Sequence, residues 1–326
     1  MWKTKIILSV ISIIAIAFAQ SATAQSHQTV AKVGFLTSDF EPSELGIAFQ
    51  KEMRDLGYVE GKNIHIEYRG AARNLDRLEE LAGDLVGLDV AAIVAVDTAT
   101  TLAAKSKTKD IPIIMVGVGD PVESGLVSGF ARPGGNVTGL SLPLGEIAAK
   151  QLELLKEMAP GISRVAALWN PSYPAAIISF RAMAVAARSL GLQLLSIEVR
   201  QSNELETAFS AMVKQGVEAL LLVPDPMITS NFGWISILAA RSHLPSVSGP
   251  REFVQYGGLL AYGPVLNDIS KRAASYVGKI LKGAKVAHLP VEQPTRFHLM
   301  LNRRTANLLD LSIPTSILLR ADELIE

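Results

Sequence analysis

The chain has 326 residues, of which 49% are apolar and 19% charged, with 31 basic and 31 acidic side chains. That length holds two domains of ordinary size, that apolar content excludes wholesale disorder, and the even charge balance gives no footprint for nucleic acid. Cysteine is absent, which excludes disulfides, thiol catalysis, thiolate metal sites and a lipid-modified cysteine.

In chain order, Lys3 and Lys5 precede the apolar run "IILSVISIIAIAFA" and the small residues Ala22–Ala24. This is the pattern of a secretory signal over 1–24, with the mature chain starting near Gln25. Its removal leaves 29 basic groups against 31 acidic ones, a formal charge of −2. No later stretch is long and apolar enough to span a bilayer. The expected product is soluble after cleavage, and periplasmic or otherwise exported.

Nearly continuous apolar runs follow at "KVGFL" (32–36), "NIHIEYR" (63–69), "VAAIVAV" (90–96) and "IPIIMVGV" (111–118). Such runs suit parallel strands buried on both faces. Between the first of them lie "SELGIAFQKEMRDLG" and "RNLDRLEELAGDLVG", with apolar residues at helical spacing and glycine near each end. Alternation of this kind predicts a doubly wound α/β sheet.

The most Gly-rich stretch, "VGVGDPVESGLVSGFARPGGNVTGLS" (116–141), comes next. Gly117 and Gly119 fit a dinucleotide fingerprint, but Val122 stands at its third glycine, and the chain has no P-loop motif. The stretch reads instead as a strand end, a short helix starting at Pro121, a turn at "ARPGGN" and a short strand leaving the lobe. Val137–Leu142 is then a candidate hinge.

The pattern starts again after Arg164. "RVAALWNPSYPAA" echoes "KVGFLTSDFEPSE", "GVEALLLVPDPM" echoes "GLDVAAIVAVDTA", and "LPSVSG" echoes "IPIIMVG". The same order of units predicts two similar lobes. The tail adds an amphipathic helix over 267–283, a strand in "PTRFHLMLN" and a short helix in "RRTANLLDL".

Catalytic patterns are missing. There is no G-x-S-x-G elbow, and the five histidines are scattered without metal-ligand spacing. A binding protein with no cofactor and no metal is expected rather than an enzyme.

In open α/β sheets, ligands sit beyond the carboxyl ends of the strands. In the first lobe this points to Thr37, Ser38, Asp97, Thr98, Ala99, Thr100, Gly119 and Asp120. In the second it points to Asn170, Tyr173, Asp225, Pro226 and Ser248, with Tyr262 at a second crossing between lobes. Thr98 and Thr100 stand where a helix begins, and free N–H groups there favour a carboxylate. Asp225 suits an ammonium, and Tyr173, Tyr262 and Phe40 suit an apolar side chain. Together these describe an amino acid. Asp97 adds a negative charge beside the proposed carboxylate site. If it faces the cleft, a cationic or neutral ligand is favoured instead.

The segments "RDLGYVEGKNIHIEYR", "IPIIMVGVGDPVESGLVSGFARPGGNVTGLS", "QLELLKEMAPGISRVAALWNP", "REFVQYGGLLAYGP" and "VGKILKGAKVAHLPVEQPTRFHLMLNRRTANLLDLSIP" cover nearly the whole mature chain. In their order the chain resembles the ABC transporter substrate-binding proteins of the type I periplasmic-binding-protein fold, the group with tryptophan- and tyrosine-binding components. The resemblance implies three crossings between lobes, at Thr138–Leu142, near Tyr262–Pro264 and near Gln293–Arg296. It implies an N-terminal lobe of 30–139 plus 264–293 and a C-terminal lobe of 140–262 plus 294–326. It also implies a monomer that takes a small solute, most simply an amino acid and possibly an aromatic one, by hinge closure, and delivers it to an ABC permease in the inner membrane. A sensory protein presenting the same fold to a receptor is the alternative. Where the family has a small "GT" turn after the third strand, this chain has Asp97–Thr98.

Overall fold

The computed structural model describes residues 30–41 and 43–326; the signal segment read over 1–24 lies outside the described residues. The first sheet holds β1 (Ala31–Thr37), β2 (Ile64–Gly70), β3 (Ala92–Val96), β4 (Ile113–Val118) and β5 (Val137–Ser141), in the order β2-β1-β3-β4-β5. All its pairings are parallel. Helices α1 (Glu44–Asp55), α2 (Leu78–Gly87) and α3 (Thr98–Lys107) connect the strands. The apolar runs become strands because both faces are covered: Ala92, Ile93, Val94 and Ala95 are fully buried.

The second lobe opens with α4 (Leu144–Met158), followed by β6 (Arg164–Trp169), α5 (Pro174–Ser189), β7 (Gln193–Glu198), α6 (Leu205–Lys214) and β8 (Ala219–Leu222). Then come α7 (Pro226–Ser230), α8 (Phe232–Arg241), β9 (Ser246–Ser248), α9 (Glu252–Gln255) and β10 (Leu260–Pro264). Helix α10 (Leu266–Leu281) leaves this lobe and lies on the first sheet, where Ile269, Ala273 and Val277 join Val33, Phe35 and Phe49 in one apolar cluster. The chain then returns as β11 (Phe297–Asn302), α11 (Arg303–Leu308), α12 (Thr315–Leu318) and β12 (Glu323–Ile325). The second sheet runs β12-β11-β10-β9-β8-β6-β7.

Two local expectations fail. The second sheet is not wholly parallel, because β11 runs antiparallel to β10. The chain exits the lobe at the end of β10 and re-enters at the same end, so the next strand must run back beside it. No helix follows Pro121. The segment makes a single turn, closed by Ser124 N–H to Asp120 C=O and Leu126 N–H to Pro121 C=O. Gly125 there has φ +67°, a left-handed conformation that ends helical propagation.

Three connections join the lobes side by side. The first sheet keeps the chain through Ser141 before α4 begins in the second lobe. The returning segment pairs with β5: Glu292 N–H donates to Gly139 C=O and Ser141 N–H to Glu292 C=O, each at 2.9 Å. The Thr138 hydroxyl donates to Leu289 C=O at 2.7 Å. Gly139 has φ +130°, and a Cβ there would stand 2.2 Å from Met115 O. Only glycine fits this strand.

Candidate functional site

The two sheets face each other with the carboxyl ends of their strands across one cavity of about 440 Å³. Both lobes wall it. Glu44, Asp97, Gly117 and Gly119 come from the first lobe; Tyr173, Ser179, Pro224, Gly249 and Glu252 come from the second. Gln151 of α4 and Gly263, Val265, Asn267 and His298 near the crossings close the remaining side.

Asp97 is the centre of the first-lobe wall. It is the N-cap of α3, and its Oδ1 accepts from Thr100 N–H at 2.9 Å. Its Oδ2 accepts from the Ser38 hydroxyl at 2.5 Å. Its backbone lies at φ +89°, a region that costs a side-chain-bearing residue about 1–3 kcal/mol. Protein encloses its carboxyl, although part of the residue's surface opens on the cavity. Burial raises its pKa, with the hydrogen bonds from Ser38 and Thr100 acting against that rise.

Tyr173 reaches this group from the other lobe. It is buried, and its hydroxyl sits against the Asp97 carboxyl and the Ser38 hydroxyl. Burial, and next the charge of Asp97, push its pKa well up. Ala99 and Leu75 pack against the apolar clusters of both lobes. The start of α3 is therefore clamped between lobes.

Asp225 is the matching residue in the second lobe. It N-caps α7, with Oδ1 accepting from Ile228 N–H at 2.6 Å, and Pro226 takes the first helical position. Burial raises its pKa; Asn170 stands close enough to oppose that, yet Oδ2 has no hydrogen-bond partner. The hydroxyls of Thr98 and Ser248 are likewise buried without partners.

Of the residues picked from strand ends, Asp97, Gly119 and Tyr173 line the cavity. Thr37, Ser38, Thr98, Thr100, Asp225 and Ser248 are buried just behind that wall. The Thr100 hydroxyl donates to Val96 C=O at 2.7 Å, so it is engaged within its own helix end. The carboxylate place expected at the start of α3 is filled by the chain's own Asp97. Asn170 uses its Oδ1 to accept from Ser172 N–H at 3.0 Å. Asp120 faces a separate groove at the mouth, and its Oδ1 accepts from Val122 and Glu123 N–H in the turn. Tyr262 stacks on Phe297 with ring centroids 5.6 Å apart. Phe40 is exposed beneath Arg73 rather than in the cavity.

Strand ends alone do not reveal Glu44, Gln151, Ser179, Glu252, Asn267 or His298. One of them left a signal. Gln151 interrupts the apolar face of α4 between Ala148 and Leu155; it is buried, and its Nε2 donates to Tyr262 C=O at 2.8 Å. Among the described residues, no group of three His, Asp or Glu side chains is placed to hold a metal. Nor is any helix long and apolar enough to cross a membrane.

The model of the ABC transporter substrate binding protein family matches residues 44–325, and the chain belongs to that family. It is 29% identical to a tyrosine-binding protein of Clostridioides difficile (strain R20291), over 81% of this chain and 75% of that protein. The crystal structure of the ABC domain from Streptococcus pneumonia in complex with L-Trp aligns at TM-score 0.84 and 27% identity, covering 91% of this chain and 100% of that one. The ligand-free, open structure of a substrate binding protein with adhesive properties from Clostridium difficile aligns at TM-score 0.69 and 25% identity, covering 91% and 99%. The fold is that of the type I periplasmic binding proteins, and the protein is a substrate-binding protein of the ABC transporter family.

Proposed function

We propose that the protein is the exported solute-binding component of an ATP-driven importer, and that it holds an amino-acid-sized organic solute bearing an ammonium group. The observation that carries this reading is the 440 Å³ cavity between the lobes, walled by strand ends of both. Its size suits a small organic molecule. Asp225 Oδ2, buried and unpartnered, is the acceptor available just behind the wall; an ammonium there relieves a desolvated carboxylate through a charge-assisted hydrogen bond. The tyrosine- and tryptophan-binding relatives support a solute of this size.

Binding requires no covalent chemistry. The solute enters an open cleft, the lobes rotate about the three adjacent crossings, and closure buries it. The closed form presents a surface made from both lobes to a permease, so delivery depends on occupancy. The contact of Tyr173 with Asp97 and Ser38 across the two lobes supports a closed arrangement. The greater likeness to a liganded relative than to an open one supports the same view.

The test is thermal unfolding of the mature chain against amino acids and their amines. A ligand at a hundred times its dissociation constant stabilises by about 2.7 kcal/mol, which appears as a raised midpoint. A raised midpoint together with contraction in small-angle scattering supports the reading. A raised midpoint without contraction removes hinge closure.

A further inference from the structure

The charges around the cavity are unevenly shared. Among the described lining residues, Glu44, Asp97 and Glu252 are acidic, and Glu44 and Glu252 lie in different lobes yet repel each other. The one guanidinium on the wall, Arg251, is exposed and pairs with Glu323 at 3.4 Å. His298 is the other basic side chain there, on β11 at the crossing side. A ligand carboxylate thus meets three carboxyl groups and no guanidinium that is free to pair with it.

The start of α3, where Asp97 lines the cavity, is suited to an anion, and the chain fills it. Asp97 receives the Thr100 N–H and the Ser38 hydroxyl, and Tyr173 from the facing lobe completes its surroundings. A ligand carboxylate would have to displace a resident one from the donors that both want. Two carboxylates in one low-dielectric site repel strongly. The backbone at φ +89° indicates that the surroundings hold this side chain in place against its conformational preference.

We propose that Asp97 is the specificity-determining residue of the cleft. It stands in for the ligand's carboxylate, so the protein selects organic amines that lack one over the corresponding α-amino acids. This rests on the cavity being the solute site. Specificity of this kind comes from a built-in repulsion as much as from a new attraction.

The experiment is titration calorimetry on matched pairs: tryptamine and L-tryptophan, tyramine and L-tyrosine, isoamylamine and L-leucine, agmatine and L-arginine. In the wild-type protein, the amine of at least one pair is expected to bind more tightly than its amino acid by about tenfold or more. Asp97→Asn keeps the cap acceptor and removes the charge, and should narrow that gap by about tenfold. Asp97→Gly removes the group and should narrow it further. Wild-type protein that binds the amino acid as tightly as the amine in every pair that binds overturns the proposal and leaves the solute-binding reading standing. A gap unchanged in both variants overturns it equally. Silence from every pair overturns the proposal together with the ammonium reading on which it rests.

Discussion

Asp97 and Asp225 occupy echoing places in the two lobes. Each follows a buried core strand, each caps the helix that comes next, and burial raises the pKa of each. Their surroundings differ. Asp97 has φ +89° and partners on both oxygens; Asp225 has φ −144° and one oxygen without a partner. The same residue at the same step of a repeat thus stands in two settings. One carboxyl is engaged on both oxygens within its own wall, and the other keeps one oxygen without a partner.

The largest effect expected from breaking this comparison is on affinity. Asp225→Ala should weaken binding of any solute that raises the midpoint by about 10–100-fold, the value of a charge-assisted hydrogen bond in a buried site. Titration calorimetry checks it, and an unchanged dissociation constant removes Asp225 from the site.

The next effect is on stability. Alanine at 97 loses the cap and keeps the strained backbone, whereas glycine relaxes the backbone and loses little capping. Asp97→Gly should therefore be more stable than Asp97→Ala by about 1–2 kcal/mol, the reverse of the usual order within helices. Urea unfolding of the two variants measures the difference.

A third test uses pH. Each aspartate has a folded pKa above its unfolded one, so its stabilising contribution is complete below the unfolded value and lost as pH rises through the folded value. Wild-type protein should lose stability relative to Asp97→Asn from about pH 4 upward. A difference that stays flat with pH would show that the charge is not what burial penalises.

The smallest effect belongs to the rim. Arg181 of α5 pairs with Glu123 of the first lobe at 2.7 Å, with both side chains about half exposed or more (68% and 47%). Glu123→Ala should change stability by about 1 kcal/mol or less and leave affinity nearly unchanged. A large change would move the clamp from Asp97 and Tyr173 to the rim.

The central strands of the sheets were legible in the sequence because they are buried on both faces and read as unbroken apolar runs. The repeat made the second lobe visible from the first. The antiparallel return of β11 was not legible, since it depends on where the chain re-enters a lobe, which no local pattern records. The site was half legible for a related reason. Strand ends mark where a wall begins, and so gave Asp97, Gly119 and Tyr173. Gln151, Ser179 and Asn267 come from helix faces brought in by tertiary packing, and His298 from a strand that arrives after a long excursion.

The left-handed backbone at residue 97 also bears on how such a protein varies over generations. Both aspartate codons become glycine codons through a change of the middle base alone, and glycine is the residue that this conformation accepts at least cost. The carboxylate at this position is thus one base change from the residue that its backbone conformation prefers, and that change releases the hydroxyl of Ser38 and the N–H of Thr100 from their acceptor.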